Sequence, residues 1–305
     1  MRVLITGGAG FIGSHLVNRL VEDGYKVTVA DDLSRGTLEN VNVKADFEKI
    51  DVTSKSFLKL VIKFKPDAIF HFAAQSDIGQ SLKDPQKDIS INFLATQTLL
   101  DQAKVLKIKK IIFASSAAVY AESKKMPIKE EDLKEPISLY GVSKLCSEYL
   151  LRNYHKIHGL PYASLRFANV YGPRQNTSAE GGVVAIFIDK ILKADKAIIF
   201  GDGTQTRDFI YVSDVVDACL LSLSYKVAGE FNIGTATETS IRGLYERLLK
   251  LSGAQDNIKF EKRKFLEVGR NSLFSEKFKK STGWKPKVSI REGLKKTFDH
   301  FQKIQ

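Results

Sequence analysis

A glycine-rich run, Thr6-Gly7-Gly8-Ala9-Gly10-Phe11-Ile12-Gly13, follows the apolar segment Val3-Leu4-Ile5 and opens an amphipathic stretch; no other feature narrows the choice of fold as far. Glycine permits a tight turn and a backbone approach that a β-carbon would block. Between a strand and a helix, such a run directs first-turn amides and the positive end of the helix dipole at one spot, which suits a diphosphate. Gly7, Gly10, Phe11, Ile12 and Gly13 are therefore candidate contacts to a dinucleotide. A glycine string alone also suits an ordinary turn, and a downstream carboxylate decides between the two readings. Asp31 lies 18 residues after Gly13, at the end of a second strand-like run. An acid there accepts hydrogen bonds from ribose hydroxyls and repels a 2′-phosphate, so NAD is expected over NADP. Asp32 reads as a loop residue, and Arg35 leaves some room for NADP. Asp51 and Val52, after the third run, suit either an adenine pocket or a helix cap.

Short β-branched runs at residues 3–6, 26–30, 47–51, 68–72, 110–115 and 162–167 alternate with helical periodicity at 11–22, 54–64 and 89–106. That rhythm belongs to a doubly wound parallel sheet. The expected class is α/β: a Rossmann sheet over residues 1–168, then a smaller α/β lobe over 169–305 with some segments free to return to the sheet. The rhythm breaks at Gly172-Pro173, Gly181-Gly182 and Gly201-Asp202-Gly203. Open parallel sheets bind ligands beyond the carboxyl ends of their strands, so a lobe joined there would close over the site.

Composition excludes several other classes. A chain of 305 residues exceeds the usual single core, and no segment approaches the roughly 18 apolar residues of a membrane span. Met1 leads at once into a strand-like run, leaving no space for a secretion signal, so a cytoplasmic location is expected. Cys146 and Cys219 stand far apart without metal-ligand spacing, which argues against a disulfide framework or a metal site. The net charge of +12 comes from scattered lysines such as Lys109-Lys110, Lys124-Lys125 and Lys279-Lys280. This reads as a solvated surface rather than a nucleic-acid site, although it still attracts a doubly anionic substrate.

Tyr140-Gly141-Val142-Ser143-Lys144 places a phenol and an ammonium four residues apart, on one face if the segment is helical. Free tyrosine titrates near pH ~10, so a tyrosine base needs a nearby cation to stabilise its phenolate. Lys144 would supply it. The spacing recurs by chance in a chain with 10 tyrosines, and a third group decides the matter. Ser116 directly follows the fifth strand, so its hydroxyl emerges at the carboxyl edge and can bond the reacting oxygen.

With these motifs the chain resembles, over nearly all its length, the NAD-dependent epimerase/dehydratase family of extended short-chain dehydrogenases, and within it the UDP-glucose 4-epimerases. The markers are TGGAGFIGSHL, DDLSRG, FHFAAQ, SSAAVY, YGVSK, RFANVYGPRQ, GDGTQTRDFIYVSDVVDA and FNIGT. The resemblance implies Phe72, Ala73, Ala74 and Asn92 beside the cofactor, Asn169 and Arg207 at the diphosphate of a sugar nucleotide, and Phe200 near its uracil. On the residues alone, Phe200 reads equally as core, and Arg207 beside Asp208 as an ion pair, though a guanidinium fork suits phosphate. The implied reaction is 4-epimerisation of a UDP-hexose, UDP-glucose with UDP-galactose or the N-acetylated pair, by transient oxidation at carbon 4. The implied assembly is a homodimer joined through helices at 89–106 and 140–155.

Related dehydratases and decarboxylases carry an acid in the segment after the fifth strand. Here Ser116-Ala117-Ala118-Val119 has none, so proton transfer at carbon 5 lacks an obvious group, and epimerisation needs none. The alternatives are another nucleotide-sugar enzyme or a catalytically silent dinucleotide sensor. Related epimerases also place an Arg, then Gly with an acid, ahead of the position beside the sugar's carbon 2. This chain lacks the Gly before Glu267, so Arg263 and Arg270 compete for the phosphate role. Ser272 takes the carbon-2 position or is an exposed loop serine.

Overall fold

The computed structural model describes residues 1–123, 125–178, 181–224, 226–262 and 268–304. Strands β1 (Arg2–Thr6), β2 (Lys26–Asp31), β3 (Asp46–Lys49), β4 (Ala68–His71), β5 (Lys110–Ser116) and β6 (Tyr162–Phe167) join β11 (Gly229–Ile233) in one parallel sheet. Its order is β11-β6-β5-β4-β1-β2-β3. The doubly wound α/β class is thus the observed one, with the switch in strand order beside β1.

Both faces of this sheet are covered, which is why its strands read as continuous apolar runs rather than alternating ones. On one face Val3, Ile5, Val27 and Val29 meet Leu16, Val17 and Leu20 of α1 (Phe11–Glu22). On the other, Leu4, Ile69 and Ile111 meet Phe57 and Val61 of α2 (Lys55–Phe64) and Leu99, Leu100 and Ala103 of α5 (Ala95–Val105). Short helices α3 (Ile78–Lys83) and α4 (Pro85–Ile89) lie between α2 and α5 in sequence. The long helix α6 (Leu139–His158) starts at a Ser138 cap whose hydroxyl accepts from Gly141 N, and ends at Gly159 in the left-handed region.

The periodicity at 89–106 is not one continuous helix. Residues Ser90–Leu94 form a wider π turn between α4 and α5. Its cause is local: the Asn92 carbonyl accepts from the hydroxyls of Thr96 at 2.7 Å and Ser147 at 2.8 Å, and Asn92 is drawn toward α6.

After residue 168 the chain divides its elements between two cores. Strand β11 pairs with β6, and α8 (Val212–Leu221) packs on α1, so these segments complete the large sheet. The rest surrounds a second core of Phe187 and Ile188 on α7 (Val183–Leu192), Tyr245 and Leu248 on α9 (Ile241–Ser252), and Phe298 on α11 (Ile290–Ile304). Three two-stranded ladders tie this lobe: β7 (Asn169–Tyr171) with β10 (Phe209–Tyr211), β8 (Ala197–Phe200) with β13 (Ile258–Glu261), and β9 (Thr206–Arg207) with β12 (Thr239–Ser240). Helix α10 (Glu276–Thr282) follows the segment that crosses back to β11.

Candidate active site

A cleft of about 700 Å³ runs along the carboxyl edge of the sheet, a volume in the range of small-molecule sites. The glycine loop forms one wall. Gly7 has φ +71°, and a β-carbon on Gly13 would strike the Gly7 carbonyl, so the tight turn excludes larger residues at both positions. Helix α1 has neither a side-chain cap nor an acid in its first turn, and Gly10, Phe11, Ile12 and Gly13 line the cleft. Its amide end is therefore open to an anion.

Asp31 closes the loop from the other side. Its Oδ2 accepts from Ala9 N and its Oδ1 from Leu33 N, both at 2.9 Å. Burial raises its carboxyl above the ordinary value, and these amides oppose that shift. Asp32 accepts from Ser34 N and Oγ, the turn expected of a loop residue. Asp51 serves its own turn by accepting from Thr53 N and Oγ1 at 2.8 Å, yet both Asp51 and Val52 also line the cleft. The cap of α2 is Ser54. Phe72, Ala73 and Ala74 form the opposite wall, fixed by Thr6, whose hydroxyl oxygen accepts from Phe72 N and Ala73 N at 3.1 Å. With both donors on that oxygen, the Thr6 O–H points to His71 Nδ1, and His71 Nε2 meets Thr96 Oγ1 at 3.1 Å. Burial pushes His71 down to about 3, so it stays neutral.

Ser116, Tyr140 and Lys144 meet on the cleft wall where β5 ends and α6 begins. The Ser116 oxygen accepts from Ala118 N at 3.1 Å, and its hydroxyl lies on the same cleft wall as the Tyr140 phenol. Burial pushes Tyr140 up to about 12, while the neighbouring Ser116 hydroxyl acts in the opposite direction. The Lys144 ammonium donates to Ala114 O at 2.9 Å and lies 4.6 Å from the Phe113 ring and 5.9 Å from the Tyr140 ring. Burial pulls Lys144 down to about 8, while the Asp88 and Glu148 carboxylates act to keep it charged. At neutral pH the pair is a protonated phenol beside an ammonium, and further positive charge in the cleft would favour the phenolate.

The remaining sequence candidates separate. Asn169 lines the cleft. Asn92 does not; it is buried, its Oδ1 accepting from Gln75 N at 2.9 Å and its Nδ2 donating to Ser143 Oγ at 3.1 Å. It braces the wall from behind. Phe200, Arg207, Arg270 and Ser272 belong to the second lobe and to the segment leading to α10, outside the cleft lining. Arg207 donates to Thr206 O, while Asp208 accepts from Thr235 N, Ala236 N and Leu273 N. Arg270 is exposed and holds Glu238 through two bonds. Ser272 is buried rather than exposed, and its hydroxyl oxygen has no partner. Arg263 lies outside the described residues. Gln75 and Arg174 also line the cleft without having been singled out in the sequence. Gln75 ends the FHFAAQ run and Arg174 follows a Gly-Pro break, which were the available signals.

A Rossmann sheet with an acid at the second strand's end and a Ser/Tyr/Lys cluster at the fifth defines a nucleotide-cofactor oxidoreductase architecture. The model of the NAD dependent epimerase/dehydratase family matches residues 3–234. The UDP-glucose 4-epimerase of Mycolicibacterium smegmatis is 38% identical over 309 residues, covering 99% of each chain. The solved UDP-glucose 4-epimerase of Thermotoga maritima, with UDP-glucose, superposes with TM-score 0.96 at 39% identity, covering 100% of this chain and 99% of that one. That of Thermus thermophilus, in complex with NAD, superposes with TM-score 0.94 at 35% identity over 99% of both. The chain belongs to the NAD-dependent epimerase/dehydratase family. NAD is its cofactor, and the open amide end of α1, the glycine loop and Asp31 fit it.

Proposed function

We propose that this protein interconverts UDP-hexoses at carbon 4, with UDP-glucose and UDP-galactose as the pair. The observation that carries the reading is the Ser116–Tyr140–Lys144 cluster on the cleft wall, in a segment whose positions 116–119 hold no acid. The loop residues Gly7, Gly10, Phe11, Ile12 and Gly13 hold the cofactor diphosphate, Asp31 a ribose, Asp51 and Val52 the adenine, and Phe72 to Ala74 the far end. When bound, NAD supplies a reversible hydride acceptor. As a phenolate, Tyr140 takes the proton of the carbon-4 hydroxyl, and as a phenol it returns that proton to the same oxygen once the sugar has turned. Lys144 stabilises the phenolate before the proton is taken and after it is returned, and Ser116 donates to the carbon-4 oxygen. Asn169 and Arg207 grip the diphosphate while the sugar turns, so binding energy remote from carbon 4 retains the intermediate. With Ser272 at the position beside carbon 2, a small side chain there leaves room for an N-acetyl group, and UDP-N-acetylglucosamine is accepted beside UDP-glucose.

The protein works as a cytoplasmic homodimer on this reading. Leu94, Val105, Leu139, Val142 and Tyr149 are exposed apolar residues at or on α5 and α6, a concentration that suits a paired surface. Among the described residues no helix is long and apolar enough to cross a membrane. Incubation with NAD and UDP-glucose, followed by NMR, should show UDP-galactose formed without net cofactor reduction. A dehydrated or decarboxylated product, or no turnover of any UDP-hexose, would overturn the proposal.

A further inference from the structure

One guanidinium is bonded both to the helix that carries Tyr140 and Lys144 and to the end of the turn that Ser116 opens. Arg166 stands on β6 and Glu148 on α6, with side chains 1% and 0% exposed. Two parallel bonds join them, Nε to Oε1 at 2.9 Å and Nη2 to Oε2 at 2.6 Å. Glu148 follows Lys144 by four residues and Tyr140 by eight, on the same helix face. The remaining nitrogen, Nη1, donates to Tyr120 Oη at 2.7 Å, and Tyr120 closes the turn that Ser116 caps. Tyr120 in turn donates to Asn232 Oδ1 on β11 at 2.6 Å, and Asn232 Nδ2 donates to Ile128 O at 2.9 Å. Ile128 N donates to Ser272 O at 2.7 Å, so the chain of bonds extends to the segment ahead of α10.

This network is an expensive way to gain stability, because desolvating two charges offsets most of their attraction. What it provides is geometry. Between the Ser116 turn and α6 the described residues of 121–138 form neither helix nor strand, so local structure does not set the spacing of Ser116 from Tyr140. We propose that Arg166 is a positioning residue: through Glu148 and Tyr120 it fixes α6 against the Ser116 turn and thereby holds Tyr140 and Lys144 in register with Ser116. The inference rests on the reaction assigned above. Lysine at 166 keeps the charge but lacks the planar fork needed to hold Glu148 at two oxygens and Tyr120 together.

The test uses the NAD-loaded protein and the variants Arg166→Lys, Glu148→Gln and Tyr120→Phe. Arg166→Lys and Glu148→Gln should each lower kcat about 10- to 100-fold, the scale of a misplacement near 1 Å, with KM for the UDP-sugar within about 3-fold. Tyr120→Phe, which cuts one arm, should lower kcat by roughly 3- to 10-fold. The phenolate titration of Tyr140, read in the near ultraviolet as the difference from the matching Tyr140→Phe protein, should move up by at least about 0.5 pH unit as the phenol loses Ser116 and Lys144. Leu248→Ala, in the second lobe's core, should lower the melting temperature and leave both readouts unchanged. If Arg166→Lys and Glu148→Gln behave like Leu248→Ala, the network is structural only and the proposal falls. Should either fail to fold, Tyr120→Phe decides alone, and unchanged kcat and titration would overturn the idea. The titration needs no sugar: a shifted phenol in a protein that epimerises no UDP-hexose supports the positioning role while sinking the assigned reaction.

Discussion

On the proposed reading Tyr140 is the base, and burial opposes that role. Burial holds its phenol up to about 12 although the Lys144 ammonium lies 5.9 Å from its ring, so a base at neutral pH requires added positive charge. Binding of NAD should therefore lower the Tyr140 titration, and a spectrophotometric titration with and without NAD that shows no downward shift would contradict the role. Tyr140→Phe should keep cofactor binding and lose at least about 100-fold in turnover; near-normal turnover would remove the residue from the mechanism. On the same reading Asp31 has two functions, since the carboxylate proposed to hold a ribose also accepts from Ala9 N and Leu33 N. Asp31→Ala should weaken NAD binding at least about 10-fold, relax the rejection of NADP and cost about 1–3 kcal/mol through the unpaired amides. Calorimetric titration with both cofactors, together with denaturant melts, would expose the error if NADP remained fully rejected.

The elements show which local rules tertiary contact overrides. Gly141 sits in the first turn of α6, where alanine would be the better helix former by about 1 kcal/mol. A β-carbon there would overlap the Ala118 carbonyl and approach Pro136 at 2.8 Å. Sterics should therefore win: Gly141→Ala is expected to destabilise the protein by about 2 kcal/mol and lower turnover by pushing α6 off the Ser116 turn. A more stable, fully active variant would show that the helix approaches less closely than this. The π turn at Ser90–Leu94 has the same lesson in reverse. Its sequence reads as regular helix, and only hydroxyls from Thr96 and the distant Ser147 make the Asn92 carbonyl leave that pattern.

At the scale of the whole molecule, Lys110 joins the sheet to the segment after α8, donating to Ser224 O and Val227 O. Burial holds its ammonium near 8 instead of 10.5. Between those values the unfolded chain binds more protons than the native one, so this group makes stability rise with pH across pH 8–10.5, and its burial cost is fully present below pH 8. Chemical denaturation at pH 7.5 and pH 9.5 should show wild type gaining at least about 1 kcal/mol relative to Lys110→Met, and an equal response in both would refute the burial argument. Leu94→Glu should convert the proposed dimer to monomer in sedimentation analysis, whereas an unchanged mass would place the interface elsewhere.

The sequence by itself determined the class of fold and the cofactor, and it singled out Ser116, Tyr140 and Lys144, which the structure brings together on one cleft wall. Each depends on periodicity or on residues a few positions apart, and backbone geometry turns such spacing directly into direction. Asp51 shows the limit of that reading: the sequence offered a pocket residue or a helix cap, and the structure has it line the cleft and hold its own turn while Ser54 caps α2. Only the tertiary structure decided that β11 returns to the large sheet, that Ser272 is buried, and that Arg270 is engaged by Glu238. It alone revealed that Arg166, Glu148 and Tyr120 stand together, 18 residues separating the first pair and 46 the arginine from the tyrosine. Their contact arises from the packing of a helix, a strand and a turn against one another, and no local pattern in the chain encodes a distance set by three elements at once.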